Sequence, residues 1–155
     1  MTDFLPLIAE YRAGLEAEMA MLRHLAGLAA REREVTAARQ LDVLDELTDV
    51  RERVMATLVT IESQLRPIRQ ALAEARPHLA RLEEFKEVAD LHQQAAALVG
   101  EIVASDEQSM AALRQAEHAR RFAAESLEKG ESTLAAYRRV VMPALPNATL
   151  VNRRG

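Results

Sequence analysis

Cysteine and tryptophan are missing from the 155 residues, and aromatics amount to only 3%. The first absence excludes disulfides, thiolate nucleophiles and cysteine-based zinc sites, and allows a reducing compartment. The scarcity of aromatics leaves Leu, Val, Ile, Ala and Met to build the core, in closely packed helices. A surplus of one charge is lacking too: a net charge of −4 with mixed signs offers no broad cationic face, so nucleic acid and anionic lipid are poor partners. No segment approaches the roughly 20 uncharged residues that cross a bilayer. Met1 to Pro6 carries no basic leader ahead of an apolar run, so the expectation is a soluble cytoplasmic chain with no membrane insertion. Hydrophobic residues, at 49%, argue against disorder and suffice for one core if the helices fold back on one another.

What is present is helical periodicity. Val43, Leu47, Val50, Val54, Leu58, Ile61, Leu65, Ile68 and Leu72 follow one another by threes and fours, which paints one stripe down a helix. An earlier helix is predicted from a cap at Thr2 or Asp3, with Pro6 in its first turn, to about Glu34. Its inward face is Ile8, Tyr11, Leu15, Met19, Leu22, Ala26 and Ala29. The phase is lost between Val35 and Gln40, which predicts a short turn and a hairpin. Pro67 should kink the second helix rather than end it, because Ile68 and Leu72 keep the phase; the turn is expected near Ala75, Arg76 and Pro77, with Pro77 opening the next helix. Gly100 and Ser105-Asp106-Glu107-Gln108, which matches a capping box, leave open whether the third helix breaks there or a fourth segment begins. A last helix takes Met110, Leu113, Ala116, Ala123, Leu127, Leu134 and Tyr137, interrupted by Gly130. Pro143 and Pro146 then keep the chain out of helix, so residues 1–140 are expected to form one helical domain and residues 141–155 a non-helical tail. The fold expected is all-α: an antiparallel helical hairpin or bundle of three to four helices with an irregular C-terminal tail.

Catalytic chemistry finds little purchase. Bundle di-iron sites need Glu three residues before His, but Met21, Ala75, Ala89 and Gln115 precede His24, His78, His92 and His118 at that distance. No metal, cofactor or catalytic residue is therefore expected. His24, followed by Ala26 and Gly27, has a superficial likeness to histidine phosphotransfer domains, yet the Lys and Gly that such a site places after its His are not where they are needed. The glycines lie too far apart for a phosphate-cradling loop, and the acidic pairs Glu83-Glu84 and Asp106-Glu107 read as solvated faces or caps.

Apolar surface remains. Ala112, Ala116, Ala119, Ala123 and Ala124 give the last helix a shallow face on which larger apolar side chains of a partner can pack. Val140-Val141-Met142 and Leu150-Val151 place apolar residues where a tail should be polar, which points to docking on the bundle or on a partner.

Residues Ile8 to Glu34, the spacer Ala37-Ala38-Arg39-Gln40-Leu41-Asp42, and Leu44-Asp45-Glu46-Leu47 leading into Arg51-Glu52-Arg53-Val54 resemble the N-terminal hairpin of the FlgN/FliT-type flagellar export chaperones. Ile102, Asp106-Glu107, Leu113, Leu127, Gly130 and Leu134-Ala135-Ala136-Tyr137 are similar to that family's final helix, although Ser109 stands where an Asn is often found. The length and the tail favour the FlgN branch. The resemblance implies a non-enzymatic cytoplasmic chaperone that binds amphipathic terminal segments of hook-filament junction proteins, prevents premature assembly and delivers these axial proteins to the export gate. Partner contacts are expected at Leu127, Leu134, Tyr137, Val140, Val141 and Met142, and the resemblance makes Tyr137 the candidate export-gate contact; its ring packing on Leu134 with the hydroxyl in water is the plainer alternative. The rival reading is a structural coiled-coil adaptor that self-associates, as a homodimer for example, through the stripe from Val43 to Leu72.

Overall fold

The computed structural model describes residues 3–141 and contains only helix: α1 (Leu5–Ala37), α2 (Leu41–Glu74), a single turn α3 (Arg76–Leu79) and α4 (Glu83–Val141). By contact, the chain divides into two units, Met1–Ala112 and Leu113–Gly155.

In the first unit, α1 begins after Asp3, whose carboxylate accepts a hydrogen bond from the Leu5 N–H at 3.0 Å, and Pro6 occupies the first turn, where no intrahelical donor is lost. Ile8, Tyr11, Leu15, Met19, Leu22 and Ala29 are buried as their spacing predicts, and Leu25 and Leu28 join them. The helix runs three residues past the expected Glu34. It is closed by a pair of hydrogen bonds, Gln40 N–H to the Val35 carbonyl at 2.9 Å and Arg39 N–H to the Thr36 carbonyl at 3.1 Å, with Arg39 at φ 59°. This is the Schellman closure that usually takes glycine at its left-handed position. With arginine there, the turn carries no glycine signal in the sequence.

Leu47, Val54, Leu65 and Leu72 of α2 are buried, and Val43, Val50, Leu58, Ile61 and Ile68 pack against the same core. The α2 stripe thus faces α1 and α4. The helix continues through Pro67 and ends at Glu74; Pro77 then opens only the single turn α3, which Leu79, 1% exposed, anchors in the core.

The first part of α4 returns along the hairpin. Arg12 pairs with Glu87 and Arg33 donates to Gln108 at 3.1 Å, so α1 and α4 run parallel with a register of 75 residues at both points. Arg51 of α2 donates to both carboxylate oxygens of Asp106, at 2.7 and 2.5 Å, and to Glu32 of α1 at 3.3 Å, which ties three helices at one level. That engagement settles the segment left open by the sequence. Asp106 serves an interhelical ion pair instead of a cap, Ile102 and Ser105 are buried, and α4 passes unbroken through Gly100, Ser105 and Gly130. A helical glycine costs about 1 kcal/mol, too little to break a helix held on one side by packing.

Candidate functional site

The three-and-four spacing of Phe85, Val88, Leu91, Ala95, Leu98 and Ile102 is carried on along α4 by Ala116, Ala123, Leu127, Leu134 and Tyr137. Leu127 is 73% exposed, Leu134 60% and Tyr137 64%. Helical spacing places these three on one side of α4, since seven and ten residues are close to two and three turns. Val140 and Val141 belong to α4 by backbone, while their side chains, Met142 and the rest of the expected tail lie outside the described residues. Phe122, 67% exposed, is an apolar side chain the sequence reading passed over; its being one of three phenylalanines in the chain was the available signal. Beside the strip, Arg120 and Arg121 both donate to Glu117, at 2.9 and 3.1 Å, and draw its carboxyl below the usual range. All three are well exposed, so solvent screens these pairs.

A second constellation lies inside the first unit. Arg69 of α2 donates to the Tyr11 hydroxyl at 2.9 Å and to Glu62 at 2.8 Å, and its guanidinium stands 5.8 Å from the centre of the Tyr11 ring. Glu18 of α1, only 7% exposed, lies 4.0 Å from Arg69. Burial, then the neighbouring Glu62, pushes the Glu18 carboxyl up to about 7. The hydrogen bond from Arg69 holds Glu62 at about 2. The two carboxyls engage each other and one guanidinium, which latches α1 to α2. Glu18 and Glu62 also line the larger of two cavities beside the latch. Sequence reading missed the latch. Its signal was Glu18 itself, a charge standing between Leu15 and Leu22 in the phase of the buried stripe.

Along one side of this latch, α2 and α4 leave a groove made of two adjoining cavities of about 470 and about 290 Å³. Among the described residues, no cluster of three or more His, Asp or Glu side chains is placed to hold a metal ion, and no helix is long and apolar enough to cross a membrane. His24 is exposed on α1. In comparisons with known proteins, no family model, no curated protein and no solved structure matches the chain.

Proposed function

We propose that the chain is a non-enzymatic, cytoplasmic export chaperone of the FlgN kind, and that residues 113–141 of α4 receive amphipathic terminal segments of hook-filament junction proteins. One observation carries the reading: Leu127, Leu134 and Tyr137 repeat the spacing of a packed helix face yet stand 60–73% exposed. A long apolar strip left in water is costly unless a partner covers it. Segments that polymerise once ordered are kept from doing so when a helix masks their apolar face. The residues that carry the family resemblance fall on α1, on the Arg39 turn, at the start of α2 and along α4, which is consistent with this reading.

Calorimetry with the terminal segment of a hook-filament junction protein tests it. Replacing Leu127, Leu134 and Tyr137 together by Ala is expected to weaken binding at least tenfold, about 1.4 kcal/mol, with helicity intact. Unchanged affinity refutes the assignment. Tyr137→Ala alone is expected to reduce engagement of the export gate more than client binding; equal losses would remove its separate role.

The self-associating adaptor remains the second reading, but its surface shifts. The stripe from Val43 to Leu72 is taken up by the chain's own core, so self-association would use apolar residues outside it, such as Val59 of α2 or those exposed on α4. A scattering mass that doubles at micromolar concentration, with no affinity for axial proteins, would favour it.

A further inference from the structure

The groove between α2 and α4 is a surface separate from the α4 strip, and its two stretches differ in chemistry. The cavities share Arg69 and His92 and therefore run on from one another. One stretch is apolar: Leu22, Leu58 and Ala95 line it deeply, and Val59 and Val99 form its edges, 62% and 46% exposed. Met55 and Val103, each one turn further along its helix, extend the edges and are exposed as well. The other stretch is polar: Arg66, Arg69, Arg76 and His92 line it, together with Glu18 and Glu62, which Arg69 engages. Among the described residues Arg66 and Arg76 form no ion pair within 4.0 Å, although the charge of Arg66 helps to lower the Glu62 carboxyl. From Val59 to Ala73 the groove follows α2 for about 21 Å at 1.5 Å per residue, the length of about four helical turns, and Arg76 of α3 stands beyond it.

We propose that this groove docks an amphipathic α-helix of a partner protein, with its apolar side between Val59 and Val99 and with carboxylates at its C-terminal end over Arg66 and Arg76. Where packed helices leave an open seam, a fourth helix can close it in the way bundles bury their remaining apolar face. With Glu18 and Glu62 engaged by Arg69, Arg66 and Arg76 set the sign of the partner: acidic groups gain counter-charges there, and basic groups are repelled. Direction follows from the helix dipole, whose negative end belongs next to the arginines. The inference does not depend on the flagellar reading, because it concerns a different surface and any protein can supply the helix.

The test uses the full chain and a dye-labelled sixteen-residue helical probe with leucines on one face, two glutamates in its last turn and a free C-terminal carboxylate. Its twin has lysines for the glutamates and an amidated end. Fluorescence anisotropy is expected to show the acidic probe binding at least tenfold tighter than its twin, with NMR shifts at Ala95, Ala96 and Val99. The double variant R66E/R76E should invert the preference, and Val59→Asp should weaken the acidic probe tenfold. All three positions are solvent-facing, and circular dichroism checks that the variants fold. Equal binding of the two probes, binding of neither, shifts confined to residues 113–141, or binding of oleate in place of both would each overturn the proposal. So would a full-chain dimer that uses Val59 and Val99 while excluding the probe.

Discussion

Residues 83–112 and 113–141 of α4 belong to one helix and carry apolar side chains at one spacing, yet Val88, Ala95 and Ile102 are buried while Leu127, Leu134 and Tyr137 are not. Local preference cannot be the cause. Both stretches are rich in Ala and Glu, which are good helix formers, and both contain a glycine with nothing within 4 Å of an added Cβ. What differs is the supply of facing residues. The register of 75 between α1 and α4 sets Ala37, the last residue of α1, opposite position 112, because 37 + 75 = 112. That is where the first unit ends. Burial on α4 thus follows the length of α1, and the exposed strip is the part of the pattern that α1 is too short to cover.

The comparison is broken most directly by truncating one side chain in each stretch. Ile102→Ala removes buried methyl groups and should cost about 2–4 kcal/mol in urea unfolding, whereas Leu127→Ala should stay within about 0.5 kcal/mol. Similar costs would mean that Leu127 is packed in solution.

Glycines sharpen the contrast at smaller magnitude. A Cβ on Gly14 would sit 2.2 Å from Leu65 Cδ2, and Leu65 is buried at 3% exposure, so α1 and α2 approach each other through the missing side chain. Gly14→Ala should destabilise by about 1–3 kcal/mol through overpacking. Gly130→Ala meets open space and should instead raise helicity, with a gain of up to about 1 kcal/mol in the stability of that segment.

The smallest effect is on pH. Glu18, raised from 4.5 to about 7, holds its proton more tightly folded than unfolded, so its contribution is full below 4.5 and is lost as pH rises through 7. Glu62, lowered from 4.5 to about 2, works in the other direction, and its contribution is lost as pH falls from 4.5 towards 2. Unfolding measured against pH should therefore show stability declining between 4.5 and 7 by about 1 kcal/mol once screening is allowed for, and Glu18→Gln should flatten that decline. The latch lies in the first unit, so partner binding at Leu127 and Leu134 should not follow this pH dependence.

Much of the fold was legible because helix faces are set locally. The α2 stripe and most of the α1 face could be read from spacing, and so could the turn before Leu41, the interruption at Ala75 to Pro77 and the tolerance of Pro67. The Schellman turn was less legible, since an arginine occupies the position that glycine usually marks. The continuity of α4 could not be read at all. Gly100 and the Ser105 to Gln108 pattern weigh only about 1 kcal/mol locally, and the pairing of Asp106 with Arg51 across 55 residues decided the outcome. Of the candidate site, Leu127, Leu134 and Tyr137 were singled out by their apolar character alone, whereas the Glu18, Glu62 and Arg69 latch and the α2–α4 groove needed the helices to be brought together.

The sequence by itself determined that this protein is helical, which sides of α1 and α2 face inward, and that cysteine chemistry is absent, because dihedral preference and the 3.6-residue repeat act within one segment. Only the tertiary structure decided which apolar residues of α4 are covered and which carboxyls are paired. Burial and ion pairing depend on what stands across from a residue, and here that is fixed by the register and the finite length of its neighbours.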